Sequence, residues 1–300
     1  MSARIYFQEY GSPKVLAYGE ETLPEPGSGE VRIANRAISV NPVDWMIVAG
    51  YLKEFAPLEF PAVPGNESAG VIEAVGPDVE GFAVGDEVIW TGFSGAYRQQ
   101  ANVRADALVA KPASIDFDQA ASLPVAAGTA YSAVRQVQVG EGDILLVHGA
   151  AGGVGSAAVQ IAKALGARVI GTASERNHDY LRSIGAEPVA YGDGLVDRVR
   201  ALGTITASVD AVGGEATVAA TKELLSDLGR AVTAVTDENS TAAGIASVVK
   251  REDAVTATAK LAADGALRFE IQERIPLAEA ARALETSYGK HVRGKLILVP

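Results

Sequence analysis

The stretch from Ile144 to Ala173, ILLVHGAAGGVGSAAVQIAKALGARVIGTA, leaves a chain few ways to fold. A short apolar run, Ile144 to His148, leads into a glycine-rich turn. An apolar period of helical spacing follows, with Val154, Ala158, Ile161, Ala162 and Leu165 on the face that meets a sheet. A second apolar run, Arg168 to Thr172, completes the order strand, loop, helix, strand. Ala150, Gly152 and Gly155 fill the three positions of the dinucleotide fingerprint, with alanine in the first. The first position makes a tight turn. The middle one lacks a side chain, so that the backbone can approach a pyrophosphate, and the last lets the helix pack closely on the strand. The start of the helix adds free N–H groups and the positive end of its dipole. Ala150, Ala151, Gly152, Gly153, Val154 and Gly155 are therefore the expected phosphate-binding loop.

The alternation of strand and helix continues beyond this unit. Apolar runs at Pro188 to Tyr191, Ser208 to Val212, Arg230 to Val235 and Leu267 to Ile271 read as strands. Helical patterns at His178 to Ile184, Val196 to Leu202, Ala216 to Leu225 and Asp253 to Ala263 lie between or beside them. Six strands with intervening helices indicate a doubly wound parallel sheet of the Rossmann kind. Right-handed crossovers place all strand ends on one edge. The loop, Ser174, Val212, Gly213, Ala234 and Val235 fall on that edge, where a ligand is expected. Residues 1 to 115 differ: short apolar runs broken by Gly, Pro and acidic residues indicate an antiparallel barrel or sandwich. A helix at Leu277 to Tyr288 and a strand at Gly294 to Val299 return to that first domain. The expected division is 1–115 with 272–300, and 116–271, with a ligand-binding cleft between the two domains.

An NAD-binding unit usually carries an acidic residue at the end of its second strand, to hold the ribose 2′-hydroxyl. Here Ala173 and Ser174 occupy that place, and Arg176 follows two residues later, suited to a 2′-phosphate. Tyr191 ends the third strand and is placed to cover the same group. NADPH is the expected cofactor.

A net charge of −11 argues against nucleic acid or an anionic membrane as partner. Cysteine is absent, which removes disulfides, thiolate nucleophiles and cysteine-bound zinc. His148, His178 and His291 form no spaced metal motif, and His148 reads as a packed or hydrogen-bonded side chain. No apolar run approaches the length of a membrane span, and the first residues lack the zones of a signal peptide, so a cytoplasmic location is expected.

Several linked motifs resemble the medium-chain dehydrogenase/reductase superfamily, specifically its zinc-independent NADPH:quinone oxidoreductase family. They are Asn41-Pro42-Val43-Asp44, Pro64 to Gly70, Val84 to Val88, Gly95-Ala96-Tyr97, Leu123-Pro124 with Gly128-Thr129-Ala130, Ala150 to Gly155, and Val292-Arg293-Gly294-Lys295. The match covers essentially the whole chain. It implies a GroES-like β-barrel domain beside the Rossmann domain, a homodimer, and NADPH-dependent reduction of a quinone or other α,β-unsaturated carbonyl. Where zinc-dependent relatives carry a ligand histidine, this chain has Asn66. The segment between Val235 and Asp253 is shorter than in many relatives. On this reading Asn41 hydrogen-bonds the acceptor oxygen or the nicotinamide ribose, Thr129 does the same from a helix start, and Tyr51 is placed to donate a proton. Two alternatives stand beside it: an enoyl-thioester or alkenal reductase of the same fold, and a non-catalytic NADPH-binding redox sensor.

Overall fold

The computed structural model describes residues 1–289 and 291–300. The chain forms two compact units, Met1–Val125 with Glu270–Pro300, and Ala126–Phe269.

The first unit begins with an antiparallel pair, β1 (Ser2–Tyr6) and β2 (Ala17–Glu21). The strand that organises the rest is β3 (Glu30–Val40), which ends at the N-cap of helix α1 (Pro42–Val48). It is followed by β4 (Glu67–Val75), β5 (Glu87–Thr91), β6 (Gln100–Arg104), β7 (Leu108–Ala110) and helix α2 (Phe117–Ala121). β3 pairs antiparallel with both β4 and β6, and its register with β4 shifts twice, at Arg32/Ile33 and Asn35/Ala37. Such bulges bend a strand and raise its twist, which lets one strand serve two neighbours around a core. That core gathers Phe7, Ile33, Ile38, Ile72, Val88 and Tyr97 from separate strands and loops.

The second unit opens with α3 (Gly128–Gln136) and continues through β8 (Ile144–His148), α4 (Gly153–Ala164), β9 (Arg168–Ala173), α5 (His178–Ser183) and β10 (Glu187–Ala190). After α6 (Leu195–Arg200) come β11 (Ala207–Asp210), α7 (Glu215–Leu224), β12 (Ala231–Thr233), α8 (Glu238–Ala242), β13 (Ala246–Ser247) and α9 (Ala254–Ala263). The strands lie in the order β10-β9-β8-β11-β12-β13, all parallel. In order along this unit they run 3-2-1-4-5-6, the Rossmann arrangement, whose ligand crevice lies at the strand ends beside the first strand. Leu145, Leu146 and Val147 of β8 are fully buried, as the strand at the centre of a covered sheet requires.

The chain then returns to the first unit with β14 (Ile271–Pro276), α10 (Ala280–Tyr288) and β15 (Lys295–Val299). β15 pairs parallel with β14 and antiparallel with β3, at Ile38 to Val40.

Two expectations need correcting. The sixth strand of the parallel sheet is not Leu267 to Ile271 but β13, inside the segment read as a short loop. Leu267 and Phe269 are buried and Arg268 is exposed, which imitates a strand. The Gln160 side chain occupies the place of a neighbouring strand: its Oε1 accepts from Arg268 N and its Nε2 donates to Arg268 O, both at 3.0 Å. The boundary near 115 also moves, because residues 116–125 belong to the first unit. α2 packs on β3 and β4, and the Asp118 carboxylate pairs with Arg274 at the start of the return. Leu123–Ala127 form a π-helical turn that runs into α3.

Candidate functional site

β8 ends at His148, and the chain turns through Gly149 (φ +70°) towards α4, capped by Gly152. Gly149 N donates to Thr172 Oγ1 (3.2 Å), Ala150 N to Thr172 O (3.0 Å) and Gly152 N to Gly149 O (3.1 Å). The turn is thereby fixed against β9. Ser156 N is the first to reach back, to Gly152 O at 2.8 Å, so the earlier N–H groups of α4 have no intrahelical acceptor. The two fingerprint glycines do different work. A Cβ on Gly155 would lie 2.2 Å from Gly149 O and 2.7 Å from Ala150 Cα, so glycine is required there by packing. A Cβ on Gly152 would meet nothing nearer than Gly149 O at 3.6 Å. That face of the loop is open, beside free N–H groups, and the cradle fits a dinucleotide pyrophosphate.

The other strand ends of the sheet carry exposed side chains and tied loops. Tyr191, Val212 and Val235 are 62%, 46% and 39% exposed, the last two although they follow the buried strands β11 and β12. The Val212 to Gly214 loop is clamped by two carboxylates. Asp210 Oδ1 accepts from Val212 N (2.8 Å) and Gly213 N (3.0 Å), and Asp237 Oδ2 accepts from Gly214 N (2.6 Å). Ala234 N donates to Asp210 O at 2.8 Å, which ties the end of β12 to β11. Beyond β9, Ser174 Oγ accepts from Asn177 Nδ2 (3.3 Å). Arg176 is exposed and has no hydrogen bond or ion pair among the described residues. His148 is buried with Nε2 3.2 Å from Thr221 Oγ1, and burial pushes its pKa down, in keeping with a packed histidine.

In the first unit the end of β3 meets a buried polar cluster. Asn41, Asp44, Glu67, Tyr97 and Lys295 are all within 3% of complete burial. Asn41 Nδ2 donates to Glu67 Oε1 (2.7 Å) and, at 3.4 Å, to Ser39 O, while Oδ1 accepts from Lys295 Nζ (2.7 Å). Lys295 Nζ also reaches Val40 O (3.2 Å) and Glu67 Oε1 (3.4 Å). The other Glu67 oxygen accepts from Val125 N (2.7 Å), an N–H within the π-helical turn. Asp44 Oδ2 accepts from Asn41 N (2.8 Å) and Tyr97 OH (2.9 Å), and its Oδ1 has no partner. The ammonium thus pairs with Glu67 and not with Asp44, on which it acts only through its charge, and the whole cluster is buried. Burial raises the Asp44 pKa to about 7, against the pull of the Asn41 N–H and the Tyr97 hydroxyl. Burial and the neighbouring Asp44 hold the Tyr97 hydroxyl well above its ordinary value. Gly65 explains part of this packing. Its φ is +97°, and a Cβ there would lie 2.2 Å from the Tyr97 ring.

The three residues expected at the reacting centre have different surroundings. Asn41 is 2% exposed and both hydrogens of its amide are engaged, so it has no N–H left for an acceptor oxygen. Its spare capacity is a second lone pair on Oδ1. Tyr51 is 63% exposed, stands edge-on to Trp45 (5.7 Å between ring centroids), and takes no part in the buried cluster. Thr129 lies in the other unit, half-buried in the first turn of α3, and its hydroxyl has no partner among the described residues. The sequence reading passed over the roles of Asp44, Glu67, Tyr97 and Lys295. The available signal was acidic and basic side chains embedded in apolar runs, as in Lys295-Leu296-Ile297-Leu298.

Residues 27–113 match the Alcohol dehydrogenase GroES-like domain family, and residues 153–264 match the Zinc-binding dehydrogenase family. A quinone oxidoreductase of Pseudomonas aeruginosa is 36% identical, with both chains covered in full. The structure of the Escherichia coli quinone oxidoreductase complexed with NADPH superposes with a TM-score of 0.87 at 30% identity, covering 99% of this chain and 100% of that one. The quinone oxidoreductase from Coxiella burnetii gives a TM-score of 0.87 at 30% identity, covering 100% and 99%. The chain belongs to the quinone oxidoreductase family of the medium-chain dehydrogenase/reductases. This family member is an oxidoreductase that binds a nicotinamide dinucleotide, with a GroES-like unit and a Rossmann unit. Among the described residues of this quinone oxidoreductase family member, no cluster of three metal-ligating side chains occurs and no helix is long and apolar enough to cross a membrane.

Proposed function

We propose that this enzyme is an NADPH-dependent reductase of quinones or other α,β-unsaturated carbonyls, working without zinc. The observation that carries the reading is the open face of Gly152 beside the free N–H groups of α4, on the same sheet edge as Arg176, which has no partner among the described residues. When bound, NADPH supplies a hydride to an acceptor that is already electron-poor. The chain's own contribution is binding, orientation and a polar place for the oxygen that gains charge. The Ala150 to Gly155 loop holds the pyrophosphate. Ser174 and Arg176 hold the 2′-phosphate, covered by the Tyr191 ring; β9 itself ends in Ala173, and the neighbouring carboxylate, Glu175, is exposed. Val212, Gly213, Ala234 and Val235 line the ribose and nicotinamide. The Thr129 hydroxyl is the donor for the acceptor oxygen. Asn41 accepts a ligand hydroxyl through Oδ1, which favours the nicotinamide ribose over the acceptor carbonyl. Tyr51 is a donor exposed to water, and solvent serves equally well. Zinc is left without its usual ligands, since the chain has no cysteine and carries Asn66 in the histidine position.

The test is oxidation of NADPH and NADH, followed by absorbance, with benzoquinone, phenanthrenequinone and a simple enone as acceptors. Turnover with NADPH that is unchanged by EDTA is the expected result. Binding of NADPH with no turnover of any acceptor removes the reductase reading. Replacing Arg176 by alanine is expected to lower kcat/KM for NADPH roughly tenfold and leave that for NADH nearly unchanged, because one charge-assisted contact is lost. An equal effect on both cofactors would show that Arg176 does not meet the 2′-phosphate.

A further inference from the structure

Asn41 is held by a residue 254 positions further along the chain. The Lys295 ammonium has three N–H donors and three acceptors: Asn41 Oδ1, Val40 O and Glu67 Oε1. Its position is therefore fixed from three directions. An amide side chain can present either end to its surroundings, and the hydrogen-bond network decides which. At Asn41 the decision is one-sided. Turning the amide over would set its NH2 against the Lys295 ammonium and its carbonyl against the Glu67 carboxyl, exchanging two attractive contacts for two repulsive ones. Glu67 is itself fixed, because its second oxygen takes the Val125 N–H.

We infer that Lys295 is a positioning residue: with Glu67 it locks the Asn41 amide so that its carbonyl oxygen is the only face left for a ligand, which commits Asn41 to receive a hydroxyl hydrogen. The catalytic readout of this inference rests on the reductase reading above. The arrangement differs from a plain buried ion pair in one respect. The shorter contact of the ammonium, 2.7 Å, goes to the amide, and the carboxyl lies further off at 3.4 Å.

The test compares wild type with K295M, K295R and K295M/E67Q. Each is assayed well below its own Tm, and kcat and KM are scaled to folded protein. K295M is expected to lower kcat/KM roughly 10–100-fold, as displacement of a positioned group does. K295R, which keeps the charge and the donors, is expected to recover most of that loss. K295M/E67Q removes both charges, so it is expected to regain Tm and not kcat/KM. It also carries the comparison if K295M does not fold. Wild-type kcat/KM in K295M, or recovery of both quantities in the double variant, would assign Lys295 to stability alone and overturn the inference. If the wild type turns over no acceptor, the reductase reading has failed, and the side-chain amide resonances of Asn41 in protein labelled with 15N-asparagine decide the inference. Protection of both Nδ2 protons from exchange in wild type, lost in K295M, supports the lock. Equal protection in the two proteins overturns it.

Discussion

G152A is expected to fold like the wild type and to lose most of its affinity for NADPH, whereas G155A is expected to lose stability as well. The two glycines are three residues apart in one loop, and their surroundings set the contrast. At Gly152 the backbone is in an ordinary extended conformation (φ −79°, ψ 179°), and a methyl group would have no neighbour within 3.5 Å. Such a change moves stability by no more than about 0.5 kcal/mol. The same methyl group would stand where the pyrophosphate must come close to the backbone, and a loss of roughly 10–100-fold in affinity follows. At Gly155 the methyl group would overlap the backbone of Gly149 and Ala150, so α4 must move away from β8. Forced overpacking of this kind costs about 1–3 kcal/mol, and more where the obstacle is backbone. Thermal unfolding by circular dichroism and titration by nicotinamide fluorescence would separate the effects. Unaltered NADPH binding in G152A would place the pyrophosphate elsewhere.

D44N is expected to flatten the dependence of stability on pH in the first unit. The Asp44 carboxyl has a folded-state pKa near 7 and an unfolded value near 3.8. Between those values the folded protein holds a proton that the unfolded chain has released, so stability falls as pH rises through the window. The contribution is complete below about pH 4 and gone above about pH 7. The window is roughly three pH units wide, each worth about 1.4 kcal/mol, which sets a ceiling of order 4 kcal/mol. Asparagine keeps an acceptor for the Asn41 N–H and the Tyr97 hydroxyl, and it cannot ionise. Both tryptophans, Trp45 and Trp90, belong to the first unit, so their fluorescence during denaturant unfolding reads that unit alone. The advantage of wild type over D44N is expected to shrink by a few kcal/mol between pH 5 and 8. Parallel curves would mean that Asp44 does not hold a proton in the folded state.

The second unit was legible where local rules decide. Periodicity and glycine placement gave β8, the loop, α4 and β9 close to their observed limits, because each is specified within a few residues of itself. The reading failed at the sixth strand, for a physical reason. Leu267, Arg268 and Phe269 alternate in burial like a strand, but the Arg268 backbone bonds to the Gln160 side chain, and no local pattern distinguishes a side-chain amide from a strand neighbour. Ala246–Ser247 are two exposed residues, too short to show a period. The alanine-rich run around α2 looks like its helical successors, yet Asp118, paired with Arg274 across 156 residues, belongs to the first unit. The buried cluster was least legible of all. Asn41 stood out by its Asn-Pro pattern, but what its amide can do depends on Lys295, and only folding brings those two together.

The position of β15 has a consequence for how the protein is made. Its partner β3 lies in the first forty residues, and β15 follows the whole nested unit of residues 126–269. A chain emerging from the ribosome can complete that nested unit while Ile38 to Val40 still present an unpaired edge. Unpaired edges attract other strands. The unit begun first is therefore finished last, and during that interval Asn41 and Glu67 wait without their ammonium.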